Sequence, residues 1–228
     1  MGATGLYLIG SVTEVAMVWG AVTVYALGKT FLWPTMLGVV GERFPKGGAV
    51  TMGAMGGIGM LSAGLLGVPG IGYKQDYFLA DHLRNDLKQE ATFDRYKTKD
   101  EISLYTLPKF YAVDGSKLEV ALDGKGPGTE LEETIKILSE LNILKDNKEV
   151  LGLQTWWNDV GRPNIETDKK PLDESQTYGG RMALKWTAAV PATMAVGYLL
   201  LILYFRATGG YKQEHLHTLT GTETPSEY

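Results

Sequence analysis

WTAAVPATMAVGYLLLILYF, residues 186–205, runs for twenty residues without a charge. As a helix rising about 1.5 Å per residue it measures roughly 30 Å, the hydrocarbon thickness of a bilayer. Lys185 and Trp186 stand at one end, Tyr204 and Arg206 at the other. Membrane–water interfaces favour such basic and aromatic side chains. Working outward, residues 47–73 form a second uncharged stretch between Lys46 and Lys74, and residues 15–41 a third, interrupted once by Lys29. A buried core helix would account for one such stretch. Three exceed what one small soluble core can hide, so the length rule predicts a membrane protein.

The average composition conceals this. The 228 residues carry a net charge of −4 and a mean hydropathy of −0.07, values ordinary for a soluble domain. Yet residues 73–181 hold 16 Lys+Arg and 21 Asp+Glu, and the rest of the chain only 6 and 5. The mean therefore combines apolar ends with a charged middle. The weak acidic balance excludes a nucleic-acid partner, since no basic excess exists to displace counterions from phosphates. The absence of cysteine excludes disulfides, thiol nucleophiles and thiolate metal sites. The run GGIGMLSAG superficially resembles a dinucleotide fingerprint, but no strand precedes it and no acidic residue follows at the right distance. No cofactor and no metal site is expected.

The expected architecture is an all-α membrane protein with three transmembrane helices and a mostly helical, extracytoplasmic insert between the second and third. Residues 1–12 are too short to span and read as the end of a preceding helix. Residues 13–40 and 48–72 are the first two spans, joined by a cytoplasmic loop, 41–47. Residues 74–181 are the insert, 182–207 the last span, and 208–228 a disordered cytoplasmic tail, polar and small in composition. Arg43 and Lys46 in the short loop and Arg206 and Lys212 in the tail fall on one side of a three-span chain. Short basic loops stay cytoplasmic, whereas long segments translocate largely regardless of charge. The expected location is a bacterial inner (plasma) membrane.

Lys29 is the charge out of place. It lies about 16 Å by helical rise from Val40, inside the bilayer. An ionisable group at that depth is costly and marks a functional site by default, facing protein or water. The alternative is a lysine snorkelling to the interface or paired with a carboxylate elsewhere. Tyr25 and Trp33 are its i−4 and i+4 neighbours, with Met36 next along, so this face is the candidate substrate path. Pro34 removes a backbone hydrogen bond, and with Gly28 nearby a bend is expected. In the second span Ala49, Gly53 and Gly57, and again Gly59, Ala63 and Gly67, recur every four residues. Ridges of small residues let helices approach closely in lipid, so this span is expected against partner helices.

The span VYALGKTFLWPTMLGVV, the loop GERFPKGGAV and the glycine-rich span ending GLLGVPGIG resemble the tenth and eleventh helices of the major facilitator superfamily. In that family the intervening loop often reads acidic, aromatic, proline, basic, glycine. Glu42, Phe44, Pro45, Lys46 and Gly47 match it, with Arg43 inserted in the motif, though the loop is shortened. Residues 182–207 would be the twelfth helix. The resemblance covers about residues 1–73 and 182–210. It implies a secondary transporter of a small solute, with or without a coupling ion, working by alternating access. The tenth helix of such a transporter lines the central path, which would place Lys29, Tyr25 and Trp33 near substrate. The chain departs from the family in having three spans rather than about twelve, so it would be a C-terminal portion whose remaining N-terminal helices are its partners. It also departs in its long insert.

Within the insert, residues 74–90 read as an outward extension of the second span, with Tyr77, Phe78, Leu83 and Leu87 along one side. Residues 110–121 read as a hairpin turning at Asp114-Gly115. Thr129 and Glu132 read as a capping box on a helix whose stripe is Leu131, Ile135, Leu138 and Leu141. Trp156 and Trp157 read as core or interface anchors, and residues 162–178, polar and proline-bearing, as an extended linker. Glu132 and Glu133 point apart and His82 stands alone, so no enzyme is expected. His215 and His217 are too few to hold a metal. The competing reading is a membrane-anchored extracytoplasmic binding or assembly module without transport activity.

Overall fold

The structure, a computed structural model, describes residues 1–210. The described residues are helical with two isolated antiparallel bridges. Three helices are long and apolar enough to cross a membrane: Val15–Arg43, Pro45–Asp86 and Lys148–Ala207. The expected tail lies, past Gly210, outside the described residues, as do Lys212, His215 and His217.

Helix α1 (Gly2–Ser11) packs on α2 (Val15–Arg43). Glycines make the approach possible: a Cβ on Gly5 would meet the backbone of Tyr25, and one on Gly28 the backbone of Gly2. α2 runs unbroken through Pro34 to Arg43. The connection after it is therefore shorter than the expected 41–47 loop, only Phe44 preceding the 3₁₀ turn Pro45–Gly47. The chain then reverses at Gly48, whose φ of +47° suits a residue without a Cβ.

The second long helix comprises α3 (Gly48–Ser62), a π-helical turn (Ala63–Gly67), α4 (Val68–Asp81) and a closing π turn (His82–Asp86). A third π turn, Trp157–Gly161, lies between α8 (Lys148–Trp156) and α9 (Arg162–Thr187) and, like Ala63–Gly67, precedes a proline. Pro69 and Pro163 follow these two turns. A proline ring collides with the carbonyl four residues back, and a widened turn relieves the collision without ending the helix. Before Pro191 the helix is instead interrupted: between α9 and α10 (Ala189–Ala207) the break falls at Ala188, whose N–H is shared between the carbonyls of Leu184 and Lys185.

α4 and α9 pack antiparallel and form the stem of the polar module. Gly179 faces Gln75 and Leu79, Ser175 meets His82, and Asp168 meets Thr92 and Arg95. The core around the stem holds Leu79, Leu83, Phe93, Tyr96, Val113, Leu118 and Leu172, with Val120, Leu131 and Trp157 as a second cluster. α5 (Glu90–Tyr96), α6 (Gly115–Ala121), α7 (Thr129–Glu140) and α8 complete it.

Three expectations about this module are corrected. Residues 162–178 are helix, not linker, and bury Asp168, Leu172 and Ser175. Asp114 caps α6 through its side chain, accepting from the N–H groups of Ser116 and Lys117, so the Asp-Gly pair opens a helix instead of turning a hairpin. The antiparallel bridges lie earlier, Lys97 with Val113 and Ile102 with Phe110. The capping box does not form either: the first turn of α7 is capped from outside by Asp123, which accepts from Glu130 N–H at 2.7 Å and from Lys125 N–H at 2.9 Å. These bonds hold the Asp123 carboxyl below the usual carboxylate range. Of the expected stripe, Leu131 is buried and Leu141 exposed.

Candidate functional site

The most unusual position on the spanning helices is Lys29. Its side chain is exposed, and its Nζ lies 6.0 Å from the centroid of the Tyr25 ring. No carboxylate pairs with it among the described residues. Tyr25 and Met36 are half-buried. Tyr25 is held from behind, because α1 passes its backbone at Gly5 and that of Gly28 at Gly2. Gly28 thus serves a close helix crossing. Trp33 lays its ring beside Gly59 of α3, 3.6 Å from where a Cβ would stand. The structure places Tyr25, Lys29 and Trp33 along one face of α2, with Trp33 also bridging to α3.

The other members of the small-residue ridges meet no other long helix among the described residues. A Cβ on Gly53 or Gly57 would find no atom within 4 Å, and one on Gly67 only the carbonyl of Ser62, at 4.0 Å. Ala63 is exposed. The most apolar windows of the three long helices are 6%, 0% and 6% buried. Their surfaces are thus left for lipid or for other helices.

At the opposite end of α2, the Arg43 guanidinium lies 5.8 Å from the ring centroid of Phe205 in α10. The short connection and the end of the third long helix therefore share one end of the molecule. Arg43, Phe44, Pro45, Lys46, Gly47 and Thr51 line a shallow cavity of about 360 Å³ there. Glu42 sits beside it, exposed.

The polar module has its own chemistry, much of it absent from the sequence reading. Asp168 is fully buried and accepts from Arg95 Nε at 2.9 Å, from Arg95 Nη2 and from Thr92 Oγ1 at 2.9 Å. That carboxylate raises the Arg95 pKa. Trp156 Nε1 donates to the Arg95 carbonyl at 3.1 Å, tying the tryptophan pair into the core. His82 Nδ1 lies 3.1 Å from Ser175 Oγ, and its ring stacks on Tyr178 with centroids 4.1 Å apart. A histidine–serine contact suggests nucleophilic chemistry, but Ser175 is fully buried and offers no approach to a substrate. Burial pushes the Tyr96 hydroxyl well above its ordinary pKa.

One open cleft of about 680 Å³ lies against the stem, lined by Gln75, Asp76, Thr98, Glu119, Asp123 and Gln176 among others. No cluster of three metal-ligating side chains occurs among the described residues. No protein-family model, curated protein or solved structure matches the chain.

Proposed function

We propose that this chain is the C-terminal, three-helix portion of a secondary transporter of the major facilitator type, moving a small solute by alternating access. The single observation that supports it is Lys29: a lysine near the middle of a 29-residue apolar helix, exposed, with an aromatic ring for company and no counter-ion among the described residues. A charge at that depth is not left in hydrocarbon. It faces water or protein supplied by further helices, which the uncovered glycine ridges would also receive. Under this reading Lys29 holds an anionic group of the solute or a coupled carboxylate, Tyr25 and Trp33 shape the path, and Met36 lies further along it. The short basic connection and the end of α10 are cytoplasmic, and the polar module is extracytoplasmic.

Because the chain contains no cysteine, single cysteines report water access cleanly. In native membranes, Lys29→Cys and Tyr25→Cys are expected to react with a charged maleimide from one side, while Phe31→Cys, on another face of α2, stays inert. If Lys29→Cys is inert from both sides, the path does not pass Lys29.

The second reading, an anchored binding or assembly module, is favoured by the module's separate core and cleft. It predicts that Lys29→Met changes nothing while substitutions in the cleft do.

A further inference from the structure

The loop closed by the Ile102–Phe110 bridge lies beside the second long helix. Residues 102–108, ISLYTLP, carry no charge, and Glu101 and Lys109 flank them. They form the longest uncharged run between residues 86 and 113. At the loop's tip, Tyr105 is 66% exposed and Leu107 45% exposed. The Tyr105 hydroxyl nevertheless makes a specific bond, donating to the Leu65 carbonyl at 2.6 Å. In an α-helix that carbonyl would pair with the nitrogen of residue 69, and Pro69 has no hydrogen to give. Tyr105 supplies a donor there from outside the helix.

The depth of this bond is the informative quantity. Leu65 lies seven residues before Gly72, about 10 Å by helical rise toward the membrane centre from the last uncharged residues. The tip of a loop belonging to the polar module is thus fastened to the spanning segment below its outer end. The loop is prepared for such a place. Ile102 and Phe110 exchange both backbone hydrogen bonds, Leu107 N–H donates to the Leu104 carbonyl, and Tyr73 Oη donates to the Pro108 carbonyl at 2.7 Å. The N–H groups of Ser103, Leu104, Tyr105 and Thr106 have no backbone partner among the described residues, so the loop backbone suits the hydrated headgroup level and only its side chains suit the apolar layer. Tyrosine, with an apolar ring and a polar tip, suits the boundary.

We propose that residues 102–108 form a membrane anchor whose Tyr105 and Leu107 side chains enter the acyl layer of the leaflet on the module's side while the loop backbone stays at headgroup level. The occupant of this surface is lipid, because the loop continues the lipid-length surface of the second helix, is charge-free between charged flanks, and presents Tyr105 and Leu107 outward. The inference rests on the membrane reading of the long helices and is independent of the transport reading. Its physical effect is to hold the module against the bilayer at a third point besides the two long helices.

The test uses the full chain, reconstituted in phosphatidylcholine vesicles, with an environment-sensitive fluorophore on single cysteines. Leu107→Cys is the probe, Ser116→Cys the control on the module's watery surface, and Val196→Cys the control within α10. The label at Leu107→Cys is expected to lose most of the iodide quenching seen at Ser116→Cys and to be quenched several-fold more by nitroxide-bearing acyl chains. Iodide quenching equal to that at Ser116→Cys would place the loop in water and overturn the proposal. Protection from both quenchers would put protein, not lipid, on this surface and overturn it as well. If Val196→Cys itself escapes the acyl-chain quencher, the membrane reading has failed and the anchor with it.

Discussion

The third long helix is two regions in one. Its first part, α9, has a polar sequence, RPNIETDKKPLDESQTYGGRMALKWT, yet buries Asp168, Leu172, Ser175, Gly179 and Ala183 along one face. Its second part, α10, has an apolar sequence and buries nothing. In water a helix is held by what it packs against, and the packing face of α9 is built from small and polar groups with satisfied partners. In a bilayer an apolar surface needs no such cover, because lipid is as apolar as leucine. Long and apolar enough to cross a membrane, the helix end at α10 suits a medium where burial is not what stabilises, while α9 suits one where it is. Hydropathy alone separates the two halves but says nothing of which one carries the tertiary structure.

The largest expected effect strikes the packed half. Asp168→Ala leaves Arg95 and the buried Thr92 hydroxyl without their acceptor, and removing one partner of a buried pair costs about 3 kcal/mol or more. In micelles the near-ultraviolet signal of Trp156 and Trp157 should melt well below its native temperature, while the helicity of α10 persists. If both signals fall together, the two regions are one cooperative unit and the contrast drawn above fails.

Neighbouring glycines sharpen the contrast at finer scale. A Cβ on Gly179 would stand 2.7 Å from the Gln75 carbonyl oxygen and 3.0 Å from the Leu79 nitrogen, both backbone atoms that cannot step aside. Gly180 has nothing within 4 Å. Gly179→Ala is expected to destabilise the module by about 1–3 kcal/mol through overpacking. Gly180→Ala should stabilise it by roughly 0.5–1 kcal/mol, the ordinary helix preference of alanine. Thermal unfolding of the two variants side by side checks the sign at each position. A loss at both would mean that the stem packs on more than one side.

How much of this was legible in the sequence differs by region for physical reasons. A charge-free run of bilayer length has few readings, so the three long helices were readable from composition, and Lys29 was readable as the exception within one. α9 was not. Pro163 and Pro171 suggest a broken chain, but the π turn Trp157–Gly161 accommodates Pro163 and Pro171 lies inside α9 without ending it. The signal lay in spacing: residues 168, 172, 175, 179 and 183 follow a helical period. It was masked because Asp168, Ser175 and Gly179 take three of the five buried positions and leave Leu172 as the one large apolar side chain among them. The partner of Asp168, Arg95, lies 73 residues away, a pairing no local pattern encodes. Asp114-Gly115 misled because the same side-chain acceptor that favours a turn also caps a helix. For Lys29 the described residues supply the Tyr25 ring and no carboxylate.

The smallest expected effect is the most discriminating for function. Gly53 and Gly57 have open space where a side chain would go, so in micelles Gly53→Leu should leave the melting of the chain within about 0.5 kcal/mol of native, as for substitutions that touch nothing. In the native membrane the two readings part. A transporter whose other helices pack on this ridge would not tolerate a leucine there, since small residues are what permit close backbone approach in lipid. The amount of chain retained in native membranes should then fall for Gly53→Leu and not for Val196→Leu, which lies on the exposed face of α10. Retention equal for both would leave the glycine ridge facing lipid alone. The helices would then be an anchor for the module, and Lys29 would need another explanation than a path.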